Sequence, residues 1–466
     1  MGQTDQQVGQ APLEDIPAQR GRVKGRGAGL KTVRSVNRRL ILNYLREHGP
    51  TPRVAISKEL GLSRATVSNI IEELAGEDLV REGTKIPATG AAEKGGRKPT
   101  RVHFNANAGC IVGIDMGRSH LEIYLTNLLA EPIDTWFGPF DMIKIGLEDG
   151  LQFVAERSNE LVKRNLGSWD RVRGIGLSVP GAPDPTLRML ISPPLLSSWH
   201  NVDMSAKLRG LLGLEKDFPI YLDNDANMGA LGESRYGIGY GEANMIYVKL
   251  GTGIGVGMIL NGQSYRGSGG VAGEFGHVKI EERSHRCPSC GKQGCLEALA
   301  GQRTILNDAR RGISLFHEHS SEGSRIAPEP PALSRYTDVD MADVILAARR
   351  GDMASRAALE YAGKRIGTAI GSYLINVFNP SMILLDGGTI RASKDGDVYI
   401  NELLFDSLHE SAEDCSLPAA WKGTKILIDD KLRYNPIALG AVATVIDDDE
   451  EFSLPKKGFE SLVAAS

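Results

Sequence analysis

Three times in this chain a short apolar run ends in a glycine turn: GCIVGIDMGRS at 109–119, MIYVKLGTGIG at 245–255 and MILLDGGT at 382–389. Runs that are apolar on both faces suit strands of a sheet covered on both sides by helices. A glycine turn at a strand end exposes backbone N–H groups and lets a phosphate or another backbone approach closely. Further strand-like runs are LEIYLTNL (121–128), VRGIGLSVPG (172–181), TKILIDD (424–430) and FPIYLDNDAN (218–227); the last ends on Asp223, Asn224 and Asp225. Longer helical stretches lie between them, so residues 105–450 are expected to form an α/β body, with a nucleotide-type cleft between two similar lobes.

At 466 residues the chain has length for two or three domains. It begins without an apolar signal core, and no run of 18 apolar residues follows, so a cytoplasmic protein with no membrane span is expected. Residues 314–337 interrupt the strand–helix alternation and are expected to be a mobile insertion. Cysteine is scarce, five residues in all, yet three fall in CPSCGKQGCLE at 287–297. A cytoplasmic setting argues against a disulfide framework and leaves redox chemistry or metal binding for this cluster.

Charge divides the chain. Residues 20–104 carry 18 Lys/Arg against 8 Asp/Glu, whereas residues 105–466 carry 36 against 47. A basic head on an acidic body points to a nucleic-acid module joined to something else. Within the head, Val33, Val36, Leu40, Ile41, Tyr44 and Leu45 recur at helical spacing up to Gly49. A second helix is expected with Thr51 as N-cap and Pro52 at its first position, ending at Gly61. Ser63 then caps a third, in which Val67, Ile70, Ile71 and Leu74 make one apolar stripe. Three such helices make a helix-turn-helix, whose last helix presents its first turns to the major groove. Ser63, Arg64, Thr66, Ser68 and Asn69 are the candidate DNA-contacting residues there.

Two β-prone pieces, Leu79–Glu82 and Thr100–Phe104, flank a Gly/Ala/Lys loop and are expected to form a wing. GGRKPT, at 95–100, is either a plain linker or a minor-groove arm offering Arg97 and Lys98. The domain organisation expected is a disordered basic tail over 1–29, with Arg20, Arg22, Lys24 and Arg26 suited to phosphates. A winged helix-turn-helix and linker follow over 30–104, then lobes over 105–233 and 234–450 and a tail over 451–466.

Taken together, DMGRS (115–119), NDAN (224–227), GTGIG (251–255), GSGGVAGEFGH (267–277), CGKQGCLE (290–297) and the late DGG (386–388) resemble the ROK family of sugar-responsive repressors and sugar kinases. The likeness runs from about residue 30 to 448. It implies an actin-like, hexokinase-like (ribonuclease H-like) ATPase fold in two lobes, and the leading winged helix is similar to that of the family's repressor branch.

The resemblance adds His277 to Cys287, Cys290 and Cys295 as a Cys₃His set, a closed structural zinc site. The family's first cysteine pair is CxC and here it is CxxC, itself a common zinc spacing. His285 is a competing ligand by proximity. By the same carry-over Asn224, Asp225, Glu274, His277 and Glu297 hold a hexose or amino-hexose. The phosphate-side positions are Asp115, Gly117, Ser119, Gly251, Thr252, Gly253, Gly387 and Gly388.

A kinase would use Asp225 as general base and Mg-ATP as donor. Two departures speak against ATP: Arg118 stands where the family has a second glycine, either plugging the turn or clasping an anion, and Asp386 replaces the first glycine of the late turn. The expectation is a repressor that binds operator DNA and a sugar effector as a homodimer or homotetramer. An ATP-dependent hexose kinase is the alternative.

Overall fold

The structure is a computed structural model, and it describes residues 26–85, 100–184, 189–192, 199, 201–282, 284–320, 339–429 and 434–453. Its head is the expected winged helix. Helix Arg26–His48 is followed by helices Arg53–Glu59 and Arg64–Gly76, and a three-stranded antiparallel sheet sets Thr100–Phe104 between Thr51–Pro52 and Val80–Lys85. Val67, Ile70, Ile71 and Leu74 are all buried, as the stripe requires. Ser63 caps their helix, its Oγ accepting from Thr66 N–H at 3.1 Å.

Several boundaries differ from expectation. Thr51 does not cap the second helix. Thr51 and Pro52 pair with Val102 and Arg101 as a short strand, and Pro52 is the cap residue without a side-chain bond. The first helix begins at Arg26, inside the stretch expected to be a tail, while residues 1–25 lie outside the described ones. Arg97 and Lys98, in the expected arm, also lie outside. In the body the helix Gln302–Ser320 runs into the stretch expected to be an insertion, and 321–338 lie outside the described residues.

Two five-stranded sheets build the body. In the first, Cys110–Met116 lies between His120–Asn127, antiparallel to it, and Val172–Val179, parallel to it; Pro132–Pro139 and Ile220–Asn224 are the edges. The second repeats that order. There Met245–Leu250 lies between antiparallel Ile254–Leu260 and parallel Met382–Asp386, with Gln263–Ser264 and Lys425–Ile428 at the edges. The same topology twice is the physical basis of two similar lobes.

The lobes exchange helices. Helix Asp225–Tyr236 leaves the first sheet and packs on the second, while the closing helix Pro436–Asp448 returns to pack on the first. The expected boundary at 233/234 therefore falls inside a helix. Where the two helices cross, Gly232 and Gly440 let the backbones touch: a Cβ on either would lie 1.9 Å from Pro436 O or 1.7 Å from Met228 O.

Beyond the closing helix the chain reaches the head. Phe452 is 4% exposed, packs edge-on against Phe104, and its carbonyl accepts from Asn43 Nδ2 at 2.7 Å. Arg38 bridges Glu73 of helix Arg64–Gly76 and Glu77 at its C-terminal cap, and reaches Glu451 at 2.9 Å. One continuous core joins Ile41, Leu42 and Leu45 of the head to Ile111 of the first sheet and Val442, Ile446 and Phe452 of the C-terminal segment. Residues 451–453 are thus part of the packed structure, and only 454–466 of the expected tail lie outside the described residues.

Candidate ligand cleft and metal centre

Between the lobes lies a cavity of about 280 Å³. From the first lobe it is lined by Arg118, Ser119, His120, Asn224 and Asp225; from the second by Lys249, the 251–255 turn, Glu274, His277, Glu297, Gln302 and Gly388. All five residues expected to hold a sugar are brought together here, as are Ser119, Gly251, Thr252, Gly253 and Gly388. Asp115, Gly117 and Gly387 are not in the lining. Asp115 is buried beneath it, and a Cβ at Gly117 would meet the His120 ring at 2.4 Å. Gly387 turns with φ 103° against the Leu250 backbone.

The acids that end strand Ile220–Asn224 go separate ways. Asp223 is buried and takes Arg266 Nε at 2.7 Å, tying the strand end to the second lobe. Asn224 caps helix Asp225–Tyr236, accepting from Ala226 N–H at 2.9 Å, and donates to Gly181 O at 3.0 Å. Asp225 Oδ1 accepts from Ala226 N–H at 2.8 Å, and its Oδ2 takes Lys249 Nζ at 2.7 Å. Sequence reasoning missed Lys249, although a lysine in the otherwise apolar strand IYVKL, just before a glycine turn, was a signal.

On the phosphate side, His120 Nε2 meets Asp115 Oδ2 at 3.0 Å. Hydrogen bonds from His120 and Asn435, with the charges of His120 and Lys249, outweigh burial and hold the Asp115 carboxyl near 2. The Asp115 partnership also raises His120 against the effect of its own burial. Asp386 does not place its charge in the cleft. It accepts from Tyr247 OH at 2.5 Å and pairs with Arg391 at 2.5 Å, 9% exposed, so the expected effect of this residue on a polyanion is largely neutralised.

At the other end Glu274, His277 and Glu297 border the cysteine loop. His277 Nδ1 lies 3.7 Å from Cys287 Sγ, and its Nε2 lies 3.8 Å from Glu274 Oε2. Burial, reinforced by the charges of Asp225 and Glu297, pushes the Glu274 carboxyl above its usual range against the pull of His277. Glu297 Oε1 accepts from Ser289 Oγ, a partner that sequence reasoning did not find.

His277, Cys287, Cys290 and Cys295 each direct one donor atom into a group spanning 4.8 Å, while His285 is exposed and outside it. The loop is held for this: Cys287 N–H bonds Lys292 O, and Cys295 pairs in a bridge with Lys279. Three thiols and an imidazole this close suit a tetrahedral metal ion and would leave it no open coordination position for hydrolytic chemistry.

A model of the ROK family matches residues 111–443, and one described as winged helix-turn-helix DNA-binding matches residues 34–81. The chain belongs to the ROK family. Its relatives include the xylose repressor of Caldicellulosiruptor bescii, 31% identical over 418 residues, covering 89% of this chain and 96% of that protein. The glucokinase of Thermotoga maritima is 28% identical over 340 residues, 72% of this chain and 96% of that protein. Among solved structures, a ROK family transcriptional regulator, homolog of the E. coli MLC protein, superposes with a TM-score of 0.70 at 24% identity, covering 93% of this chain and all of that one. The glucokinase likeness covers a smaller share of this chain than the repressor likeness does. Among the described residues no helix is long and apolar enough to cross a membrane.

Proposed function

We propose that this ROK protein is a cytoplasmic transcriptional repressor that binds operator DNA through its winged helix and releases it in response to a monosaccharide in the interlobe cleft. The observation that supports this most is the single core running from the head into the body, because a ligand in the cleft needs a packed route to the DNA-binding face. Arg64 and Asn69 are exposed on the recognition helix, while Ser63 and Thr66 are engaged in its cap. As a two-fold dimer the protein would place two such helices one turn of DNA apart, about 34 Å.

The effector we favour is a hexose or amino-hexose, and the xylose repressors among the relatives add pentoses to the class worth testing. Vicinal hydroxyls donate to carboxylates and accept from amide and imidazole N–H groups, which is the set supplied by Asn224, Asp225, Glu274, His277 and Glu297. Zinc in the Cys₃His group would hold the loop that carries His277 and sits against Glu297. Phosphoryl transfer is the weaker reading. Asp225 would have to serve as general base while ion-paired with Lys249, and Arg118 replaces backbone where a phosphate would approach.

An operator titration tests the proposal. DNA selected by the full-length protein from a random pool is titrated with and without aldopentoses, aldohexoses and N-acetylhexosamines, alongside calorimetry of each sugar. A sugar that binds and lowers operator affinity supports the reading. Tight sugar binding with no operator shift in either direction sinks it, and robust sugar phosphorylation abolished by Asp225→Asn would promote the kinase.

A further inference from the structure

Lys249 stands at the inner end of strand Met245–Leu250, between the buried Val248 and Leu250, and turns its side chain into the cleft wall. Its side chain is 19% exposed and that of Asp225 17%, so the pair borders the cavity and is not sealed in the core. Taking an ammonium out of water is costly, and a buried ion pair is seldom more stable than an apolar pair of the same volume. Stability alone is therefore a poor reason for a lysine in this strand. The ammonium has three N–H bonds, and among the described residues the side chain it donates to is Asp225. The remaining donors need an oxygen that the cavity can bring.

We propose that Lys249 is a ligand-contacting, specificity-determining residue: its ammonium donates to the same sugar hydroxyl that donates its own proton to Asp225. This rests on the sugar reading of the cleft and names one of its contacts. An oxygen within hydrogen-bond reach of both Nζ and Oδ2, which lie 2.7 Å apart, closes a three-membered network. A hydroxyl suits that position because it donates once and accepts, whereas a carboxylate only accepts and an ammonium only donates. A sugar lacking the hydroxyl leaves a cation and a carboxylate partly desolvated without the partner they are set to meet, so the cleft rejects it. In this role Asp225 reads a hydroxyl and does not activate one.

The test is a protein–ligand double-substitution cycle on the full-length chain. Aldopentoses, aldohexoses and N-acetylhexosamines are screened by calorimetry, and the monodeoxy analogues of the tightest binder are measured against the wild type and Lys249→Met. We expect removal of one particular hydroxyl to cost the wild type at least about tenfold in affinity. Lys249→Met should lose at least about tenfold for the parent sugar and show little further loss with that analogue. Parent binding unchanged in Lys249→Met, or a loss of the same factor for the parent and every analogue, overturns the proposal. Should Lys249→Met fail to fold, Lys249→Arg keeps the charge on Asp225 and moves the donors; an analogue profile identical to the wild type then overturns it. If the wild type binds no sugar of the panel, the sugar reading itself falls and this inference with it. Sugar binding without coupling at residue 249 removes only the inference.

Discussion

Asn435, at the head of the closing helix, donates through Nδ2 to Oδ2 of Asp115, buried beneath the cleft, at 2.9 Å. The same nitrogen lies 2.8 Å from Glu122, and Oδ1 caps the helix by accepting from the N–H groups of Ile437 and Ala438. Asp115 in turn holds His120, which lines the cavity. At its far end the helix leads to Glu451 and Phe452, which grip Arg38 and Asn43 of the head. The closing helix and the turn after it thus run from the cleft to the head.

The expected consequence is that Asn435→Ala weakens communication more than it weakens ligand binding. A cap of this kind contributes about 1 kcal/mol, so the variant should fold with a lowered melting temperature. Sugar should still bind, while the shift in operator affinity, expected at about 1–3 kcal/mol in the wild type, should shrink. Operator titrations with and without sugar, beside calorimetry, check this; an undiminished shift would show that the signal travels elsewhere.

A buried acid away from the cleft gives a pH prediction. Burial, with the charges of Asp429 and Asp386, pushes the Glu233 carboxyl up to about 7. Its ordinary value is 4.5, so the folded state holds this proton more tightly than the unfolded chain. Stability from this group is then full below about pH 4.5 and declines as pH rises toward about 7. Glu233→Gln keeps an oxygen to accept from Ile238 N–H and removes the charge. Melting curves should find the variant more stable than the wild type at pH 8, with the gap closing toward pH 5.

On the recognition helix the exposed residues separate from the capping ones. Arg64→Ala and Asn69→Ala should each change which bases are preferred, at about 1–3 kcal/mol per lost contact, with melting temperature unchanged. Ser63→Ala should instead lower stability by about 1 kcal/mol, since its Oγ satisfies the Thr66 N–H. Selection from a random DNA pool, paired with thermal melts, distinguishes the two outcomes.

For the metal centre, protein purified without chelators should hold about one zinc per chain by elemental analysis. Cys290→Ser should lower both zinc content and the melting temperature, and weaken sugar binding through the loop that positions His277 and Glu297. Full stability and sugar affinity in metal-free protein would leave the cluster without the structural role assigned to it.

What the sequence determined by itself is local. The helical stripe of Val67, Ile70, Ile71 and Leu74, the cap at Ser63, the glycine turns after apolar strands and the spacing of three cysteines follow from residues near one another in the chain. They suffice for the winged helix and the α/β body, whereas the set of residues around the cleft followed from the resemblance to the ROK family. Tertiary structure alone decided the partners. Lys249 meets Asp225 only because helix Asp225–Tyr236 crosses onto the second sheet, and Asp386 meets Tyr247 only because their two strands pair, 139 residues apart in the chain, while its other partner, Arg391, is local. The first helix was read with one apolar face, yet Leu42 and Asn43 are buried while Val33 is 42% exposed, because residues some 400 positions later return to cover it. Periodicity records which side of an element is covered when one neighbour covers it; it is silent on which distant segment arrives, since that depends on sheet order and on where the last helix packs.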